Sequence, residues 1–182
     1  MSSNDPNEAS IERSMFLASL SPQDVLCFSI GAYFQKFSHV ELLLSVVLQQ
    51  IMNTDIRTVQ FLLRDVGLRG KTKTTRRAAR EAFGLEDQRT KRINSVLKRI
   101  DTMSEFRNDL AHGTFISSEG NPAMGRTGES FQRMMAEFEP IDATTVLKET
   151  NNLQSLAGEL SGLIASRFAT TIGPRPTELR AI

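Results

Sequence analysis

Residues 21 to 51 read SPQDVLCFSIGAYFQKFSHVELLLSVVLQQI, and this run decides the fold class. Leu26, Ile30, Tyr33/Phe34, Phe37, Val40, Leu44, Val47/Leu48 and Ile51 recur at spacings of three and four. A turn of 3.6 residues brings such positions onto one face, so the spacing predicts an amphipathic helix of about eight turns. Ser21 suits its N-cap and Pro22 its first helical position, where a missing N–H costs nothing. Asn53 and Thr54 end it.

Downstream, Asp55 to Val66 carries Ile56, Val59, Leu62/Leu63 and Val66, a shorter helix closed by Gly67 and Gly70. Thr72 to Phe83 reads as a basic helix whose apolar residues are Ala78, Ala79 and Phe83, stopped at Gly84. Glu86 to Ala111 is a second long helix striped by Ile93, Val96/Leu97, Ile100, Met103/Ser104, Arg107 and Leu110/Ala111. Gly113 to Glu129 is glycine-rich and irregular, with a small hairpin expected between Thr114–Ser117 and Phe131–Met135. Asp142 caps a third long helix to about Phe168, with Val146, Leu153, Leu156/Ala157, Leu160, Leu163/Ile164 and Phe168 inward. Upstream, Ile11 to Leu20 suits a short helix. The expectation is an all-α bundle of three long amphipathic helices, shorter helices and a small β-hairpin. It forms one domain over residues 11–170, with a disordered tail at 1–10 and a loose tail at 171–182.

Net charge over 182 residues is +1, which excludes a global field drawing the protein onto nucleic acid or anionic lipid. One cysteine, Cys27, rules out an intramolecular disulfide and suits a reducing cytoplasm. With no histidine or cysteine cluster around it, Cys27 reads as a small core residue. The first ten residues are polar and lean acidic, unlike a signal peptide. The most apolar stretch, Val40 to Leu48, is too short to cross a bilayer and contains Glu41. A soluble cytoplasmic protein with no membrane partner is expected.

Positive charge is concentrated locally. Between Arg64 and Arg99 stand twelve basic side chains against four acidic ones, an excess of eight. Arg69, Lys71, Lys73, Arg76, Arg77 and Arg80 are its densest part. Such a stretch either tracks a phosphate backbone or is an ordinary solvated helix face. No aromatic interleaves with these cations, so backbone recognition is expected rather than base stacking. No glycine loop suits a phosphate cradle, and no His, Cys or carboxylate cluster has metal-ligand spacing, so neither cofactor nor metal is expected. His39 reads as a boundary residue of the first long helix.

The second long helix runs out in Arg107-Asn108-Asp109-Leu110-Ala111-His112-Gly113. Asn108 and His112 are four apart and share a face. Arg107 falls on the apolar stripe, where an unpaired guanidinium is costly to bury. Glu41, on the inward side of the first long helix, is its candidate structural partner. The plain reading is an Arg–Glu pair beside a histidine at a helix C-terminus. The chemical reading is a phosphodiester site: arginine holds phosphate, histidine moves protons near neutral pH, asparagine orients.

Arg107, a following polar residue, then His112, near the end of a long helix in an all-α chain, resembles the motif of the HEPN superfamily. Seven residues carry the specific likeness, and the architecture from about Pro22 to Phe168 agrees with it. The resemblance implies a metal-independent endoribonuclease acting on RNA by attack of the 2′-hydroxyl on the adjacent phosphate. Arg107, Asn108 and His112 would be its catalytic residues, and Arg69, Lys71, Lys73, Arg76, Arg77 and Arg80 would hold RNA. It further implies a homodimer pairing two motifs, a toxin or defence role, and a nucleotidyltransferase-like antitoxin as partner. The rival reading is a non-catalytic helical module for binding or dimerisation. A basic DNA-binding regulator is a weaker third, since no helix-turn-helix spacing stands out.

Overall fold

A computed structural model of the chain describes residues 19–118, 121–125 and 139–166. The expected tails, residues 11–18 of the expected first helix, Phe131–Met135 and Phe168 lie outside these residues. Among the described residues five helices and three short strands follow one another: α1 Pro22–Met52, α2 Ile56–Leu62, α3 Leu68–Phe83, α4 Gln88–His112, β1 Thr114–Ser118, β2 Asn121–Gly125, β3 Glu139–Pro140 and α5 Ala143–Ala165. The fold is mostly helical, as the apolar spacing requires. No helix of the described residues is long and apolar enough to cross a membrane.

The helix starts follow local chemistry. Ser21 Oγ accepts from the Asp24 N–H at 3.2 Å, and the Asp24 carboxylate accepts from the Ser21 hydroxyl at 2.6 Å and its N–H at 3.3 Å. This is a capping box with aspartate in the usual glutamate position. Asp55 accepts from the Thr58 N–H at 2.9 Å to open α2, and Asp142 from the Thr145 N–H at 2.7 Å to open α5. Asn53, at φ 49, turns the chain out of α1. Gly84, at φ 90, does the same after α3, a conformation that a side chain would strain.

Contacts divide the described residues into two compact units, one from 19–39 and those between 102 and 154, the other from 40–101 and 155–166. The first takes the start of α1, the end of α4, the sheet and the start of α5. Its core holds Leu26, Tyr33, Phe37, Leu110, Met124, Ile141, Val146 and Leu153. Tyr33 is wholly buried and donates its hydroxyl to the Met103 carbonyl at 3.0 Å. Its ring stacks on Phe37 and meets Phe34 and Phe106 edge-on. The strands form an antiparallel sheet in the order β1-β2-β3, with Phe115 opposite Met124 and Ala123 opposite Pro140. A strand at Thr114 was expected, but its partner is Asn121–Gly125, inside the stretch read as irregular. The sequence signal for that pairing is weak because Asn121-Pro122 and Gly125 resemble loop residues.

The second unit packs the end of α1, α2, α3, the start of α4 and the end of α5. Leu44, Leu48, Ile93, Leu97, Ile100, Leu156 and Leu160 are its large buried side chains. Val59 and Leu63 seat α2 against Leu48, with Val66 and Ala78 packed beside them. Helix α3 starts four residues before the expected Thr72 and buries Thr72, Thr75 and Ala79 completely. The Thr75 hydroxyl donates back to the Lys71 carbonyl at 2.9 Å, which satisfies it out of water. Of the helix's three expected apolar residues only Ala79 is buried, and two threonines fill the other inward positions.

Candidate functional site

Helix α4 ends on His112, one residue beyond the expected boundary, so the whole Arg107–His112 motif is helical. His112 is exposed, and so is Asn108 one turn before it on the same face. Arg107 lies about 100° round the helix, half-buried on the stripe side. Its guanidinium donates to Asn108 Oδ1 at 3.2 Å and stands over the Phe34 ring, 5.7 Å from the centroid. The ring supports the cation from below. The carboxamide draws it round toward the face that carries His112. An arginine rooted beside an aromatic ring therefore presents its charge at the exposed edge.

Glu41 does not serve Arg107. Its carboxylate accepts from the Lys71 ammonium at 2.5 Å, with Lys71 only 17% exposed, and this tie joins α3 to α1. The expected Arg107–Glu41 pair is replaced by the Arg107–Asn108 bond and the Phe34 contact. Burial is the largest cause of a net rise of the Tyr33 hydroxyl's pKa above the usual phenol range; Glu149 raises it further and Arg107 lowers it. The buried phenol therefore stays protonated at neutral pH.

The helix end is shaped by Gly113. Its N–H donates to the Asp109 carbonyl at 2.7 Å. A Cβ there would stand 2.5 Å from that oxygen and 2.8 Å from Met124 Cγ. Only glycine lets the chain leave His112 and enter β1 so tightly. The sequence showed a glycine after the motif but not what it avoids.

Of the six cations expected to hold RNA, three are tied to carboxylates. Lys71 meets Glu41, Arg76 meets Asp101 at 2.5 Å, and Arg77 meets Glu81 at 2.8 Å along α3. Asp101 also accepts from the Thr72 hydroxyl at 2.9 Å, so one carboxylate of α4 clamps two side chains of α3. Arg69, Lys73 and Arg80 are exposed and have no ion-pair partner among the described residues. With Arg76 they follow at intervals of four, three and four, which sets them in one row about 16 Å long. Part of the local excess thus stitches the second unit together, and a narrower ridge faces water.

Cys27 is exposed rather than buried. It lies on the outer side of α1 with Phe28, which is 64% exposed. Leu20, Asp24, Gly31, Ala32 and Gln35 complete a shallow, mainly apolar groove there. The i+3 and i+4 positions from Cys27 are Ile30 and Gly31, and the buried stripe runs through Leu26 and Ser29 instead. Among the described residues no group of three His, Cys, Asp or Glu could hold a metal ion.

Comparison with known protein families, with curated proteins and with solved structures finds no match to this chain.

Proposed function

We propose that the chain is a metal-independent endoribonuclease of HEPN type, working as a homodimer. The observation that carries this reading is the arrangement at the end of α4: His112 exposed on the last turn, Asn108 on the same face, and the Arg107 guanidinium bonded to Asn108 over Phe34. Attack of a 2′-hydroxyl on its phosphate needs a proton acceptor, a proton donor and positive charge on the phosphoryl oxygens. His112 serves a proton transfer, Arg107 grips the phosphate, and Asn108 fixes Arg107 in place. The motif carries one histidine for two proton transfers, so a second copy of the chain supplies the other about a two-fold axis. The row Arg69, Lys73, Arg76 and Arg80 steers the polyanion. A toxin or defence effector with a nucleotidyltransferase-like antitoxin is the setting that the HEPN resemblance suggests.

The decisive experiment is cleavage of a labelled RNA in excess EDTA by wild type, Arg107→Ala and His112→Ala. Wild type cleaves and both variants fall by at least about a hundredfold, the scale of a lost general acid–base or charge-stabilising group. Equal cleavage by all three, or by none, sinks the proposal. A second reading, a non-catalytic docking module, is favoured by the exposed groove around Cys27 and Phe28 on α1.

A further inference from the structure

Helix α2 turns an aromatic ring outward between two cations. Val59 and Leu63 anchor it, and Asp55 caps it. Phe61 stands on the opposite side, 77% exposed, the most exposed large apolar side chain among the described residues. Arg57 is four residues before it on α2, a position that shares its outward face. Arg64 follows three residues after, in the turn beyond the helix, where its N–H donates to the Phe61 carbonyl at 3.4 Å. Both are exposed and have no ion-pair partner among the described residues. The neighbouring acids are Asp55, engaged with Thr58 at the cap, and Asp65, exposed beside Arg64.

A lone exposed phenylalanine needs no explanation, but one flanked by two unpaired guanidinium groups has a specific complement. The ring offers a flat π-face, and the cations before and after it in the chain, Arg57 on the helix and Arg64 in the following turn, offer phosphate contacts. An unstacked nucleobase with its flanking phosphates has that pattern. A base inside a duplex does not, because both its faces are already covered. An interfacial membrane helix is a poor fit, since α2 has only seven residues. We propose that Arg57, Phe61 and Arg64 form a stacking platform for single-stranded RNA, so that the enzyme takes unpaired rather than duplex substrate. This rests on the ribonuclease reading and narrows its substrate class. Phe61 lies three residues before the first cation of the basic segment, outside the stretch for which backbone recognition was expected.

The chain has no tryptophan, so Phe61→Trp installs a unique fluorophore at the platform. The probe is a 2′-O-methyl oligonucleotide, which lacks the attacking hydroxyl and is not consumed. Single-stranded probe should quench the indole emission of this variant, and the same sequence as a duplex should leave it unchanged. Phe61→Ala and Phe61→Leu should both bind the single strand about 5- to 150-fold more weakly, the range for one lost base stack. Leucine separates stacking from apolar area. Arg57→Ala or Arg64→Ala should each flatten the log–log salt dependence by about 0.7. Thermal melts check that these exposed changes leave the fold intact. Binding without quenching of the indole, and with Phe61→Ala unaffected, overturns the platform and leaves the ribonuclease reading standing. No binding to either nucleic acid overturns both. A blue shift on anionic phosphatidylserine vesicles without quenching by the oligonucleotide overturns it in favour of a lipid surface.

Discussion

Replacing Gly113 by alanine tests how the motif helix is ended. The new Cβ would lie 2.5 Å from the Asp109 carbonyl oxygen, almost an ångström inside ordinary contact, with Met124 Cγ at 2.8 Å and Sδ at 3.0 Å. Met124 is a flexible side chain and yields at modest cost. The Asp109 oxygen is helix backbone and already accepts from the Gly113 N–H at 2.7 Å, so relief must stretch that bond. Overpacking of this kind costs about 1–3 kcal/mol, and a weakened hydrogen bond adds about 0.5–1.5 kcal/mol. Alanine's smaller unfolded-state entropy offsets about 0.4–1 kcal/mol. A net loss of about 1–3 kcal/mol follows, or roughly 2–12 °C in Tm for a chain of this size. Urea and thermal unfolding followed by circular dichroism measure it. The control is the same substitution at Gly158 and Gly162 in α5, where a Cβ meets nothing within 4 Å. Each of those should stabilise by about 0.5–1 kcal/mol. If Gly113→Ala matches or exceeds wild-type stability while the α5 variants behave as expected, the close approach at the end of α4 is wrong.

Four further outcomes are expected. Tyr33 is the only tyrosine, and its pKa is raised above that of the unfolded chain, chiefly by burial. A raised pKa contributes stability below about pH 10, the unfolded value, and loses it above, so tyrosinate absorbance should appear only together with unfolding. A separate titration before unfolding would contradict the buried hydroxyl. Asp101→Asn should lower stability while freeing Arg76 from its clamp; RNA affinity should hold or rise, and a fall in step with stability would take α3 out of the binding surface. On the acid side, Asp87 is held down to about 2 by Arg89, through side-chain and then backbone hydrogen bonds, and Asp55 and Asp142 are lowered by their Thr58 and Thr145 bonds. Depressed carboxylates give stability above the ordinary range near ~3.9 and lose it as pH falls toward about 2, so the triple asparagine variant should show a flatter urea midpoint between about pH 5 and 2. Arg77→Ala should leave the urea midpoint where wild type has it, because the Arg77–Glu81 pair is 82% and 65% exposed and solvent screens it; a clear fall in the midpoint would show a missing contact.

Sequence alone determined the three long helices, but not the limits of the short ones: α2 stops at Leu62, and of Gly67 and Gly70, expected to close it, the first caps α3 and the second lies inside it. Apolar spacing in α1, α4 and α5 is a one-dimensional record of which side must leave water, and Ser21, Asp142 and Gly84 marked boundaries through backbone chemistry local to each. The motif Arg107–Asn108–His112 was legible for the same reason: helix periodicity fixes which of its members share a face. Tertiary structure alone decided the partners. Glu41 and Arg107 both sit on inward stripes, and nothing in the order of residues says that Lys71 reaches Glu41 first. Thr72 and Thr75 count as polar by type, yet they are buried, because their hydroxyls bond within their own helix or to Asp101. Cys27 and Phe61 are apolar by type, yet they face water, because Leu26 and Val59 already occupy the buried side of their helices. Hydrogen bonds and ion pairs depend on distances between segments far apart in the chain, and those distances exist only once the helices have packed.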